Sequence, residues 1–276
     1  MPTVTFLTAA KLPIADDETP LIATALQAFD IESRIVAWTD SAALATPSDL
    51  VMIRSTWDYS PVVNIFVQAL RDIPSTLANP VDIVAWNSHK GYLVELAAAG
   101  VPVVPTTLVR SGDKFAVDGT VPLIIKPAVS VGAIGVGRFD ADDAAAGSHL
   151  ESLLETGDVL VQPFQPEVAQ GERSLIFIGG RYSHAVRKVP APGDFRVHQH
   201  LGGSLHPHEP SSAELAVADA ALAAVNADLL YARVDLIVGP NGPQLMELEL
   251  IEPFLFLIDA PGSAERLAAA IAARIR

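Results

Sequence analysis

Tyr231-Ala232-Arg233-Val234-Asp235-Leu236-Ile237-Val238, then Pro240-Asn241-Gly242, then Gln244-Leu245-Met246-Glu247-Leu248-Glu249-Leu250, is the stretch on which the reading of this chain turns. Both arms alternate apolar and polar residues, the period of a strand with two unlike faces. The Pro-Asn-Gly between them predicts a hairpin. A turn symmetric about Asn241 sets Asp235 opposite Glu247 and Arg233 opposite Glu249, so that these carboxylates and one guanidinium share a face. Directly opposed like charges weaken a sheet by up to about 1 kcal/mol per pair. The arrangement therefore asks for a cation, and carboxylate oxygens favour Mg²⁺, with nucleotide phosphates completing its octahedron. The plainer alternatives are a solvated polar face, or an Arg233–Glu249 ion pair among ordinary charged neighbours. A register slip of one residue would set Asp235 against an apolar side chain and dissolve the cluster.

Composition narrows the classes. A chain of 276 residues, 50% hydrophobic, has enough apolar surface for two or three packed subdomains. Its apolar runs are broken by charge, Pro or Gly before the roughly 18 residues a membrane span needs, so no transmembrane helix is expected. Met1-Pro2-Thr3-Val4-Thr5-Phe6-Leu7 lacks a basic segment and passes directly into a strand, which predicts a cytoplasmic protein. The absence of cysteine excludes disulfides, thiolate zinc sites and cysteine nucleophiles. A net charge of −14 argues against nucleic acid as a partner, because that affinity comes from Lys and Arg on phosphates. A nucleotide site must collect its positive charge locally.

Along the chain, Val4 to Thr8, Ser33 to Ala37, Leu50 to Ile53 and Thr76 to Ala78 read as strands. Helices starting at Pro20 and Pro61 lie between them, the rhythm of a small parallel sheet. A helix is predicted from Ser88, as N-cap, to a stop at Gly100. From Val121 the pattern becomes β-rich: Leu123 to Lys126, Val159 to Gln162, Ser174 to Ile178 and Tyr182 to Lys188, with a helix from Asp142 to Glu155. Pro190 to Pro210 reads as a loop, followed by a helix from Ala213 to Leu229, the hairpin, and a final helix. Expected units are 1–85, an N-terminal Rossmann-like α/β domain, and two α+β subdomains, 86–162 and 163–276.

Together with several further features, the hairpin resembles the ATP-grasp superfamily of carboxylate–amine ligases. That resemblance implies an α/β and α+β fold whose two subdomains enclose ATP. It also implies two Mg²⁺ ions, replaceable by Mn²⁺, on Asp235, Glu247 and Glu249. Arg233 looks like the family's arginine at the transferring phosphoryl group, a role its fixed fork of donors suits, and Lys126 its catalytic partner. Lys90 and Lys126 match the ATP-binding lysines. Ser130-Val131-Gly132-Ala133-Ile134-Gly135 resembles the loop whose backbone N–H groups close over phosphates. Gln162-Pro163-Phe164 is similar to the adenine hinge, and Glu172 stands where the family often carries a ribose-binding acid. Glu249 replaces a frequent Asn, adding negative charge without removing an oxygen ligand.

The run Arg54-Ser55-Thr56-Trp57-Asp58-Tyr59 leaves an apolar strand where α/β sheets present ligand loops. Arg54 and Asp58 are candidates for the carboxylate and amine of a small amino-acid-like substrate; the alternative is a packed loop with an internal ion pair. Arg173, Arg187 and Arg196 are further substrate-facing candidates. That run, Asn79-Pro80 before Asn87-Ser88-His89-Lys90, and Glu247-Leu248-Glu249-Leu250-Ile251-Glu252-Pro253 together resemble the O-ureido-serine cyclo-ligase group of cycloserine biosynthesis. Its likeness implies ring closure on an acyl phosphate. A two-substrate ligase, such as a glutathione-type peptide ligase, and a nucleotide-binding module without turnover are the rivals. The pairs His198/His200 and His206/His208 suggest zinc only weakly, with no third ligand evident. The sequence leaves oligomeric state open, a homo-oligomer included.

Overall fold

In the computed structural model, residues 1–117, 119–197 and 201–275 are described. The chain opens as β1 (Thr3–Thr8), α1 (Glu18–Leu26), β2 (Glu32–Ala37), α2 (Ser41–Leu44), β3 (Leu50–Ser55) and α3 (Val63–Arg71). These strands form a parallel sheet in the order β2-β1-β3. Leu77 adds a single parallel bridge to Val51 rather than a full strand. Every residue of β3 is buried, as expected for a parallel strand covered on both faces.

Next come α4 (Val81–Asn87) and α5 (Tyr92–Ala98). The single helix expected from Ser88 is therefore two: Ser88 caps the C-terminus of α4, and α5 starts after a turn at 88–91. Gly100 does stop α5, at φ 89°, a left-handed conformation that costs glycine little. The division expected at residue 85 falls inside α4.

The second sheet consists of β4 (Thr107–Val109), β5 (Leu123–Pro127), β6 (Gly137–Phe139) and β7 (Val159–Pro163), antiparallel in the order β4-β7-β5-β6, with α6 (Ala145–Leu154) packed on it. The third contains β8 (Glu172–Ile178), β9 (Arg181–Val189), β10 (Ser204–Pro207), β11 (Tyr231–Gly239) and β12 (Gly242–Glu249), in the order β10-β9-β8-β11-β12. β10 lies inside the stretch read as loop. α7 (Ser212–Val225) precedes the acidic hairpin and starts from a reciprocal Ser211–Glu214 capping box. α8 (Ser263–Ile275) ends the described chain.

One apolar cluster joins the first sheet to the third: Phe6, Ile22, Leu26 and Met52 pack with Ile176, Tyr231, Leu267 and Ile271. The edge of β12 is closed by a backbone bridge from Val103 to Leu245 and, toward the acids, by side chains. Asn87 donates to the Leu248 carbonyl (2.8 Å) and accepts from the Leu250 amide (2.9 Å). The Tyr92 hydroxyl exchanges bonds with the backbone of Leu248. Asn79 bonds the Tyr231 and Leu250 carbonyls and the Leu230 amide. Buried backbone groups must find partners, and these residues fix the ribbon that carries the acids.

Candidate active site

The hairpin register is Asp235 opposite Glu247 and Arg233 opposite Glu249. It arises differently from the expectation. The turn contains only Pro240 and Asn241, with Gly239 paired to Gly242, and a bulge at Met246 then inserts one residue into β12. Without that extra residue the acids would fall on the opposite face. The polar face is not an open outer surface: Glu247 and Glu249 are half-buried. Asp235 is 1% exposed, and the face forms the floor of a cleft of about 800 Å³ between the two antiparallel sheets.

Oxygens of Asp235, Glu247 and Glu249 lie within 4.8 Å of one another, close enough for shared cations. Each carboxylate already faces a cation of the chain. Arg233 bonds both Asp235 (2.9 Å) and Glu249, so the ion pair named as an alternative does form. Lys90 reaches Glu247 at 3.0 Å and the Ser130 carbonyl at 2.7 Å. Lys188, which the sequence reading did not single out, bridges Glu172 and Asp235, the latter at 3.2 Å. Ser174 also donates to Asp235. Lys126 Nζ makes no ion pair among the described residues and looks into the cleft.

Electrostatics follow from this crowding. Burial would raise Asp235, but Arg233 and Lys188 hold it well below the usual carboxylate range. Burial likewise opposes ionisation of Glu247, and Lys90 and Lys126 pull it back down. Glu249 is pushed up to about 7 by burial and by Glu247, against Arg233. Glu252 is pushed up to about 8 by burial and by Glu249. Burial and the neighbouring Lys90 lower Lys126, with Glu247 opposing. An excess of carboxylate beside a lysine whose charge is disfavoured by burial fits a divalent cation carrying phosphate.

At one end of the cleft lie Gln162, Pro163 and Phe164. The Gln162 amide donates to Thr106 (2.8 Å), and Arg138 stacks 4.4 Å over the Phe164 ring. Ser130, Gly132 and the Val131–Ile134 backbone line the middle. There Gly132, Ala133 and Gly135 have φ of 66°, 62° and 76°, left-handed backbone that glycine adopts at little cost. Glu172 and Arg196 line the cleft as well, with Arg196 paired to Asp194 at 2.8 Å.

Other candidates lie elsewhere. Arg54 is buried and paired with Glu18 (2.7 Å), also donating to the Pro253 carbonyl. Asp58 is exposed and accepts from the Trp38 indole (2.7 Å). The structure brings neither into the cleft, and Arg54 belongs to a packed internal ion pair. Arg173 and Arg187 face one another across β8 and β9 on the side of Leu236 and Leu175, away from Asp235. His206 bonds Ser204, and His208 bonds Glu214; His198 and His200 lie outside the described residues. The only metal-competent cluster among the described residues is Asp235, Glu247 and Glu249.

A family model described as the ATP-grasp domain of prokaryotic glutathione synthetase matches residues 99–255. The chain belongs to the ATP-grasp ligases. A model of the N-terminal domain of D-cycloserine synthetase DcsG matches residues 4–79 of this ligase. Cycloserine biosynthesis protein DcsG of Streptomyces lavendulae is 32% identical, over 97% of each chain. The crystal structure of D-cycloserine synthetase DcsG superposes with a TM-score of 0.88 at 28% identity, covering 99% of this ligase and 100% of that chain. D-alanine–D-alanine ligase from Bacillus anthracis shares the fold, with a TM-score of 0.71 at 14% identity, over 100% and 97% of the two chains. The protein is thus an ADP-forming ligase that joins carbon to nitrogen, acting on a small molecule with ATP and divalent metal ions as ATP-grasp ligases do. No described helix is long and apolar enough to cross a membrane.

Proposed function

We propose that this ligase closes a ring within an O-ureido-serine-like amino acid, giving a cycloserine-type product. The observation that carries this reading is the make-up of the cleft's far end. There Trp57 and Tyr59, from the unit matched by the D-cycloserine synthetase N-terminal model, stand opposite the loop that follows Glu249. The relatives' names, cycloserine biosynthesis protein and D-cycloserine synthetase, point the same way.

In this reading units 1–85, 86–162 and 163–276 work together in the cytoplasm, where ATP is supplied. Asp235, Glu247 and Glu249 hold two Mg²⁺ ions, for which Mn²⁺ can substitute. ATP would supply the phosphoryl group that activates the substrate carboxylate as an acyl phosphate, leaving ADP, and the metal ions held by these acids would offset the phosphate charge. Gln162, Pro163 and Phe164 receive adenine, Glu172 the ribose, and the 130–135 loop covers the phosphates. Lys90 and Lys126 offset phosphate charge, and Arg196 serves the same end. Arg233 orients the reacting carboxylate and stabilises the oxyanion that forms when nitrogen attacks, a preorganised role that needs no side-chain nucleophile.

The test is to incubate the protein with ATP, Mg²⁺ and candidate amino acids, singly and in pairs, following ADP release and product mass. O-ureido-serine alone is expected to release ADP and give a cyclic product. A strict requirement for a second amino acid would move the assignment to a two-substrate ligase. ATP binding without ADP release from any carboxylate would overturn turnover itself.

A further inference from the structure

We infer that Glu252 selects the substrate by receiving its α-ammonium group, making an α-amino acid, rather than a simple carboxylic acid, the molecule this site accepts. The inference rests on the reading of the chain as a ligase of amino-acid-like substrates.

Three observations lead there. First, Glu252 lines the cleft with the Tyr59 hydroxyl as a hydrogen-bond partner and Lys90 nearby, but without an ion pair among the described residues, while Glu172, Asp235, Glu247 and Glu249 each have a lysine or arginine. A half-buried carboxylate facing a ligand space is best satisfied by a cation that arrives with the ligand. Second, it borders the corner where the reacting carboxylate must lie. The Arg233 guanidinium donates to the Phe254 carbonyl (3.2 Å), two residues beyond Glu252, and sits 5.6 Å from the Phe256 ring. A carboxylate on Arg233 and an ammonium on Glu252 match the two charges that an α-amino acid carries on adjacent carbons.

Third, the surroundings favour a cation over water. Trp57 and Phe254 stack at 5.1 Å and line the same end, and aromatic faces attract ammonium groups. The loop is also held in place: Glu18 accepts the Leu255 and Leu257 amides, while Arg54 grips the Pro253 carbonyl. In O-ureido-serine the α-nitrogen cannot be the ring-closing atom, since its attack would close a three-membered ring. It is therefore free to serve as a recognition handle.

The experiment compares O-ureido-serine with its analogue lacking the α-amino group, measuring ADP release by wild type, Glu252→Gln and Glu252→Asp. Thermal melts confirm folding. Wild type is expected to prefer the amino-bearing compound by about 100-fold or more in kcat/KM, since a site built to bind N–H groups rejects ligands without them. Glu252→Gln should lose about 100-fold on the amino acid, in its KM and not that of ATP, bringing the preference close to one. Glu252→Asp should retain part of it. A preference that survives Glu252→Gln overturns the assignment. If O-ureido-serine releases no ADP, the cyclo-ligase reading fails, and the same ratio is taken with any α-amino acid that does and its des-amino counterpart. Wild type that turns over no α-amino acid overturns both.

Discussion

Two buried charge clusters of this ligase look alike in sequence and differ in kind. Around Glu18, one carboxylate meets one guanidinium, Arg54, and its oxygens are filled further by the Leu255 and Leu257 amides. Around Asp235, the carboxylates of Glu172, Asp235, Glu247, Glu249 and Glu252 outnumber the cations Arg233, Lys188, Lys90 and Lys126, and all of them line the cleft except Asp235, which is bonded to two that do. The first cluster is neutral: Glu18 borders the cleft, but both of its oxygens are taken by partners within the chain. The second has more carboxylates than cations, two of them, Glu249 and Glu252, held back from ionising by their neighbours and by burial, and a lysine without an ion-pair partner among the described residues, so ligands complete it. Charge balance, more than burial, separates a structural ion pair from a reactive site.

The sharpest challenge to that distinction is Asp235→Asn. Arg233 keeps Glu249 and Lys188 keeps Glu172 when Asp235 is neutralised, so no cation is stranded and the melting temperature should fall by less than it does for Glu18→Gln below. Activity should fall about 1000-fold in kcat, the scale for losing a preorganised electrostatic group. An ADP-release assay beside a thermal melt measures both. A large loss of stability would place the cleft charges with the structural pair.

Glu18→Gln should do the converse. It strands a buried guanidinium, which typically costs about 3 kcal/mol, or about 6 °C or more in melting temperature. Adding Arg54→Met, which removes the orphaned charge, should recover most of the loss. Differential scanning calorimetry of the single and double variants decides, and an unaltered melt for Glu18→Gln would remove the contrast.

The fold and the acid ribbon were legible because their signals are local. Alternation in 231–250 and apolar runs in the N-terminal third declare strands, and the likeness of several motifs in order declares the superfamily. What was not legible is where strands bulge. In the acidic hairpin, a shorter turn than expected and a bulge at Met246 cancel, so the facing residues come out as read. In the β8–β9 hairpin nothing cancels. Continuing the pairing from Ile178–Arg181 at the Gly179-Gly180 turn would set Glu172 against Arg187. A bulge at Ser183 instead brings Lys188 into the cleft and turns Arg187 out. Arg54 was misassigned for another reason: its partner Glu18 lies 36 residues away, and no local pattern announces that pairing. Glu252 stood in a quoted motif, yet only the cleft shows that it forms no ion pair among the described residues.

The smallest effect is also the one that probes the surplus carboxylates directly. In the ligand-free protein, kept metal-free with a chelator, Glu249 and Glu252 titrate near 7 and 8, above the ordinary 4.5. The folded state therefore holds these protons more tightly than the unfolded chain. Their contribution to stability is complete below about 4.5 and is lost as pH climbs through 7 and 8. His184 works in the opposite sense but earlier: burial lowers it from 6.5, so its contribution is already regained near neutrality. Between roughly pH 6.5 and 8.5 the melting temperature of the free protein should thus decline. Saturating ATP and Mg²⁺ should flatten the decline, because a bound divalent ion favours the ionised carboxylates. Glu252→Gln should remove its upper part and leave the step near 7. A melting temperature that stays level across this window in the free protein would mean that the cleft carboxylates are already ionised and balanced, and the contrast with the Glu18 pair would vanish.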